Sequence, residues 1–545
     1  MKEPRQKYSR AGVILMLLLG AVYLASSIWI NFHGAFWYQT DVYTYALEGR
    51  LMHDARSCFP EGWIFGNQYH IISSPNLSAL FYGLTQDSVA SMAIASSLST
   101  ILILVSFFWC FKGSAKGVPM AAGLLCIGGA IIFGRSASTY ISGLQVLYTM
   151  ASFYACYLIV LLLSLGCWLR LRERERFPWG MAILSLALNF AAGMQSLREM
   201  LVLVIPLFVM EALRFLFRLA KGESFKKLVA RNYSLFFVCC VFLAELAGHF
   251  FMASLHVATT PIIGDVDLDL SISGLTAHFW SSAKNVLRIS GIALVSDGIR
   301  YLPLSICAAG VAFTIVWSLF RIVRTKDESP LAQSIVFSFI SVLGVLFVGT
   351  FLLRTRDIYF FVYWLLATLS IVYLLQHVKQ SRVFPLVITL LVIGIVNYGY
   401  NFFPNYRDYR EYNGQLSRLT EKLIDDGIKV VYVDATPIFA AASHDRIVSQ
   451  SFWFDVNLES GYPLTVFPSD KYLPFFDDDH YKDALICFSG HSWGNLQNDS
   501  GAFRENLMSK LVYYDEILLG NRHFHLFKPL ERVIAPVASH YAETD

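Results

Sequence analysis

Residues 11–54 read AGVILMLLLGAVYLASSIWINFHGAFWYQTDVYTYALEGRLMHD. The first part, Ala11–Ile30, carries no charge, and about 20 apolar residues suffice to cross a hydrocarbon core of about 30 Å. The last part, Tyr38–Asp54, has helical spacing and opens on an acid, Asp41. Val42, Tyr45, Ala46, Gly49 and Met52 fall on one stripe of that helix, with Glu48 and Asp54 off it. A first crossing therefore runs straight into a polar-aromatic helix suited to lie flat at a membrane surface. Thr40 or Asp41 is of a residue type that caps helices, so capping and a functional role for Asp41 stand side by side.

The rest of the chain fits a membrane protein. Of 545 residues, 55% are apolar and 15% charged, against about 25% charged in soluble domains. Apolar runs recur at about 11–30, 88–111, 117–134, 142–168, 179–193, 199–218, 233–254, 299–320, 331–352, 357–378 and 384–403, eleven spans in all. The first run is long and lacks an A-x-A exit, so it is expected to stay in place as a span. With the N-terminus inside, one set of loops holds 21 Lys and Arg residues against nine in the other. That bias places the N-terminus in the cytoplasm, and an odd number of spans places the C-terminus outside. The expected architecture is a polytopic α-helical membrane protein with a C-terminal extracytoplasmic α/β domain. Residues 1–403 form the membrane part, with outside loops 31–87 and 255–298, and 404–545 form the outer domain.

That outer segment has 21 acidic and 13 basic residues and no apolar run long enough to span. GQLSRLTEKLIDDG predicts a helix stopped at Gly427, IKVVYVDA and ALICFSG predict strands, and AFRENLMSKL predicts a helix. YYDEILLGNRHFHLFKP predicts a hairpin turning at Gly520–Asn521. In the second loop, HFWSSAKNVLRI (His278–Ile289) has amphipathic spacing with Phe279, Trp280 and Val286 toward lipid. Seven of the nine cysteines lie in or beside spans. Cys58 and Cys487 face the oxidising side, which leaves a disulfide between them open.

The order of elements resembles the GT-C superfamily of membrane glycosyltransferases, near the bacterial protein-O-mannosyltransferase and aminoarabinose-transferase families. The residues that carry the likeness are TDVYTYALEGRL after the first span, GNQYHIISSPNLSALFYGL, and DSVASMAIASSLST opening the second span. Two departures stand out: Val42 follows Asp41 where a second acid is common, and Pro75 stands alone where two prolines are common. The resemblance implies transfer of a sugar from a polyprenyl-phosphate donor to a glycan, lipid or protein acceptor at the outer face, with inversion. It implies Asp41 as the base that deprotonates the acceptor.

Donor chemistry needs cations on the phosphate. Arg354 and Arg356, in LLRTRDIYF, sit outside against the positive-inside trend, and guanidinium matches phosphate geometry. A lipid headgroup or a pair with Asp357 is the plainer reading of both. Arg198, in MQSLREM, is a third candidate, with a structural pairing to Glu199 as its alternative. Tyr45 and His70 are candidates for the acceptor cavity. So are Glu245 and His249, which with His256 occupy i, i+4 and i+11 near the outer end of a span. A metal at these histidines and a divalent cation at Asp265, Asp267 and Asp269 or at Asp477–Asp479 are weaker readings than packed histidines and solvated loops. No cofactor is indicated by a motif.

No G-x-x-x-x-G-K-[ST] loop occurs, and the basic loops are short anchors, so membrane lipids are expected as neighbours and nucleic acid is not. A transporter or flippase of envelope intermediates is the rival class. Repeated halves and paired Gly/Pro-broken spans, the marks of many transporters, are missing from the sequence.

Overall fold

The computed structural model describes residues 10–33, 40–60, 63, 65, 69–133, 147–149, 152–173, 178–224, 232–257, 271–292, 302–351, 355–378, 380–433, 439, 446–454, 464–466, 482–498, 502–519, 522–531 and 533–535. The helices are α1 (Arg10–His33), α2 (Thr40–Ala55), α3 (Ser74–Thr85), α4 (Ser88–Phe111), α5 (Val118–Leu125), α6 (Ala155–Glu173), α7 (Trp179–Gln195) and α8 (Ile205–Ala220). They continue as α9 (Tyr233–Ser254), α10 (Ile272–Ser290), α11 (Leu302–Thr325), α12 (Pro330–Phe351), α13 (Val362–His377) and α14 (Gln380–Asp425).

Among the described residues, eight helices are long and apolar enough to cross a membrane: Arg10–His33, Ser88–Phe111, Ala155–Glu173, Met200–Ala220, Tyr233–Ser254, Leu302–Thr325, Pro330–Phe351 and Asp357–His377. The chain is thus a polytopic helical membrane protein, but the expected count of eleven is not reached by length. Two of the expected runs form shorter helices, and a third lies within the 46-residue α14. Val118–Ala130 ends in a π turn where Gly129 takes φ 116°, a conformation open to glycine. Trp179–Gln195 has 17 residues, about 26 Å of helix. Pro385–Val396 is the apolar stretch of α14. The run expected at 142–168 leads into the helix Ala155–Glu173.

Burial separates the centre of the bundle from its rim. The Asp357–His377 segment is 89% buried and Ala155–Glu173 78%, whereas Arg10–His33 is 22% and Leu302–Thr325 28% buried. Trp168, Tyr157, Trp364 and Tyr373 on α6 and α13 are among the largest fully enclosed side chains. Ser-rich α4 begins at an explicit cap: Asp87 accepts hydrogen bonds from the Val89 and Ala90 amides at 2.8 and 3.0 Å, which stabilises a helix start by about 1 kcal/mol. Helices α7 and α9 cross in backbone contact. A Cβ on Gly193 would lie 1.9 Å from the Glu245 carbonyl oxygen, and one on Gly248 1.9 Å from that of Phe190. Small residues at a crossing let membrane helices approach this closely.

Helix α14, 46 residues long, runs through residue 404. It stops at Asp425, two residues before Gly427 at φ 76°. Beyond it lie β1 (Val430–Val433), β2 (Val448–Phe454), β3 (Leu464–Val466), β4 (Ala484–Ser489), α15 (Gly490–Asn498), α16 (Ala502–Ser509), β5 (Leu511–Leu519), β6 (Arg522–Pro529) and β7 (Ile534–Ala535). The strands form one mixed sheet in the order β5-β6-β4-β1-β2-β3-β7. Strand β1 is parallel to β2 and β4, and the β5–β6 hairpin closes at Leu519 opposite Arg522. Alternation along the strands gives two apolar faces. Val431, Val433, Leu485 and Cys487 join Leu416, Leu419 and Leu423 of α14, and Val430, Tyr432, Ile486 and Phe488 pack with Leu496 and Leu507 of α15 and α16. Cys487 is therefore a buried core residue, and no disulfide joins it to Cys58.

Candidate functional site

The ends of several helices gather around Arg198, in the turn between α7 and the π turn Met200–Val204 that leads into α8. Its guanidinium lies over three tyrosine rings: Tyr154 at 5.2 Å, Tyr359 at 5.6 Å and Tyr157 at 5.9 Å from centroid to Cζ. Tyr154 and Tyr157 flank the start of α6, and Tyr359 belongs to the 3-10 turn Asp357–Phe360 ahead of α13. Cation–π contacts of this kind contribute about 0.5–2 kcal/mol each, most where water is excluded. The cage is braced by hydrogen bonds. The Tyr157 hydroxyl bonds the Ser196 hydroxyl at 2.7 Å and accepts from Gln195 Nε2 at 2.9 Å. Burial pushes the Tyr154 phenol up, with Arg198 working against it.

Two further predicted residues reach this cage. Tyr45 of α2 is within electrostatic range of Arg198, and Arg356, exposed at the cap of the 3-10 turn, is within range of Tyr154. The Tyr45 ring packs edge-on against His70 at 4.3 Å and against Phe153 at 4.9 Å. His70 is 3% exposed, and its Nδ1 lies 2.8 and 3.0 Å from the two carboxylate oxygens of Glu48, itself 2% exposed. A carboxylate only accepts, so Nδ1 carries the proton and donates. The structure thus packs Tyr45 on His70 and on Phe153, the chain neighbour of Tyr154 in the cage.

The other candidates divide three ways. Asp41 lies in the first turn of α2, which begins at Thr40. Its side chain, like all of Arg354, Asp265, Asp267, Asp269 and Asp477–Asp479, lies outside the described residues. Glu245 is fully buried at the α7–α9 crossing, its carboxylate beside the Met200 amide without reaching hydrogen-bond geometry. His249 is exposed on α9 next to Phe250, and His256 stands beyond the helix end at φ 50°. The expected common face of the three does not form, because α9 turns Glu245 into the bundle and ends before His256.

Glu48 corrects the reading of α2. The sequence put it off the packed stripe of a flat surface helix, yet it is buried, because α2 is covered on more than one side. A Cβ at Gly49 would lie 2.5 Å from Ser78 Oγ and 2.8 Å from the Pro75 carbonyl oxygen. The 3-10 turn is also steadied by residues the sequence did not single out. On α10, Asn285 Nδ2 donates to the Thr355 carbonyl at 2.6 Å and Ser282 Oγ bonds Thr355 Oγ1 at 2.8 Å. Polar residues three apart on an otherwise amphipathic helix are the available signal. Phe279 and Trp280 of α10 are exposed as expected, whereas Val286 packs inward. Among the described residues no three His, Cys, Asp or Glu side chains converge in a way that could hold a metal ion.

The fold and this cluster define a polytopic helical membrane protein with a cation set in aromatic rings where helix ends meet. No protein-family profile matches the chain, and no curated protein sequence does. Solved structures do match in fold. ArnT from Cupriavidus metallidurans in the apo state superposes with a TM-score of 0.52 at 11% identity, over 95% of this chain and 99% of that one. The same protein bound to undecaprenyl phosphate superposes with a TM-score of 0.52 at 10% identity, over 95% and 98%. The chain therefore has an ArnT-like fold.

Proposed function

We propose that this protein is a membrane glycosyltransferase that moves a sugar from a polyprenyl-phosphate donor to an envelope glycan, lipid or protein. The observation that carries the reading is Arg198, fixed over Tyr154, Tyr157 and Tyr359 with Arg356 close by. A guanidinium held in this way is preorganised for a phosphate, and support comes from the shared fold with a protein solved with undecaprenyl phosphate bound.

In the proposed reaction the donor phosphate lies against Arg198, Arg354 and Arg356. Asp41, on the α2 face that also bears Tyr45 and Glu48, takes the proton of the acceptor hydroxyl or amine. The acceptor atom bonds to the anomeric carbon from the side opposite the phosphate, so configuration inverts. The bond to the phosphate oxygen breaks, and the carrier leaves as polyprenyl phosphate, its charge met by the arginines. Tyr45 and His70 line the site.

The proposal also sets orientation. In this reading the three further apolar stretches also cross, the N-terminus is cytoplasmic, and the site and the sheet face outward, the sheet as a separate domain over the cavity. Its test is binding of labelled undecaprenyl phosphate by the protein in nanodiscs. Saturable binding that Arg198→Ala weakens by about a hundredfold, the loss of charge-assisted phosphate contacts of about 3 kcal/mol, is expected. Equal binding by both proteins would remove Arg198 as a donor ligand.

A further inference from the structure

We propose that Glu48 and His70 act as one positioning unit that holds Tyr45, and with it the face of α2 bearing Asp41, against the Arg198 cage. The inference rests on the donor reading above and adds residues whose work that reading leaves unstated.

A carboxylate and an imidazole have been taken out of water together, at 2% and 3% exposure. Such a pair is retained at a desolvation cost, and here the geometry is tight: one N–H donor lies within 3.0 Å of both oxygens. That contact fixes the His70 tautomer and the plane of its ring. The ring edge then packs on Tyr45 at 4.3 Å, and Phe153, one residue before Tyr154 of the cage, holds Tyr45 from another direction at 4.9 Å.

The backbone around His70 is tied to the same cage by a second route. The Tyr69 amide donates to the Gln195 carbonyl at 3.3 Å and the Ile72 amide to Gln195 Oε1 at 3.1 Å. Gln195 Nε2 in turn donates to the Tyr157 hydroxyl at 2.9 Å. His70 therefore stands between α2 and the cage, with Glu48 setting its orientation and Gln195 its position. Asp41, Tyr45 and Glu48 occupy i, i+4 and i+7 of α2, one face of the helix. Turning His70 would shift that face relative to Arg198.

The test is undecaprenyl phosphate affinity, with thermal unfolding alongside. Losing a buried charge-assisted hydrogen bond and its packing weakens affinity by about tenfold in His70→Ala and in Glu48→Ala. The double variant should be no weaker than either single one, because the two residues act as a unit. His70→Asn, whose amide nitrogen takes the place of Nδ1, should stay within about threefold of wild type; a histidine acting as base or metal ligand would not be rescued by it. Should the alanine variants fail to fold, His70→Asn is compared with His70→Gln, which carries its amide past Glu48 and should bind weakly. Wild-type affinity in His70→Ala, or asparagine and glutamine equally weak, would overturn the proposal. If Arg198→Ala alone loses binding, the positioning unit is wrong and the donor reading stands; if Arg198→Ala binds like wild type, the donor reading itself falls.

Discussion

Gly193→Ala tests the part of the structure on which the site's placement depends. The added Cβ would sit 1.9 Å from the Glu245 carbonyl oxygen, 2.7 Å from its carbonyl carbon and 2.9 Å from its Cα. All three obstructing atoms are backbone, so no side chain can swing aside. Helices α7 and α9 must part by about 1.5 Å to regain ordinary contact. Overpacking costs about 1–3 kcal/mol, and rigid obstruction points to the upper end. Alanine's helix preference returns about 1 kcal/mol, which leaves a net loss of about 2 kcal/mol. Gly180, near the other end of the same helix, has nothing within 4 Å of its Cβ position, so Gly180→Ala should be neutral or slightly stabilising. Thermal unfolding in detergent, followed by a thiol-reactive dye on the buried cysteines, separates the two. Gln195 is two residues from Gly193, so the displacement also reaches the cage, and undecaprenyl phosphate binding should fall with stability. A Gly193→Ala protein that melts with wild type would refute the backbone contact.

Further outcomes follow from single residues. Arg198→Lys keeps the charge but loses the planar fork and its stacking, so undecaprenyl phosphate binding should weaken by about ten- to a hundredfold; a change under twofold would mean that charge alone suffices. Asp87→Ala removes the cap of α4 and should destabilise the protein by about 1 kcal/mol in thermal unfolding, while Asp87→Asn, which keeps an acceptor oxygen, should cost less. In the sheet, burial lowers the His525 imidazole, whose ring packs against Trp493 at 5.0 Å; Glu516 opposes this and His523 adds to it. The unfolded chain therefore binds that proton more readily, so the contribution of His525 is full above about pH 6.5 and declines as pH falls below it. Melting temperatures from pH 7.5 to 5 should fall more steeply for wild type than for His525→Phe, and parallel slopes would contradict the assignment.

Local chemistry made much of this fold legible. The uncharged run Ala11–Ile30 predicts α1, and the short apolar runs in IKVVYVDA and ALICFSG predict β1 and β4, because both signals depend on burial averaged over a whole element. What failed depends on neighbours distant in the chain. Glu48 looks like a solvent-facing acid until His70, 22 positions on, is folded against it. The segment at 404 loses its apolar character without losing its helix, since the Leu416, Leu419 and Leu423 stripe of α14 continues against the sheet. Gly129 bends a run that hydropathy alone extends, and Gly193 and Gly248 look like tolerated glycines although they sit where α7 and α9 meet backbone to backbone. At the site, Arg198 could be singled out as a cation in a tight turn, but its three tyrosines come from two separate segments, and no spacing in the sequence announces them.

The central claim is sugar transfer, and the direct measurement is made in proteoliposomes with a panel of labelled polyprenyl-phosphate sugars and envelope extract as acceptor. Wild type should pass label from one donor to the acceptor, and Asp41→Asn should bind undecaprenyl phosphate as wild type does yet transfer nothing measurable. Equal transfer by both proteins would remove Asp41 as the base. Movement of lipid or solute without transfer by wild type, across the whole panel, would contradict the enzyme and favour a transporter.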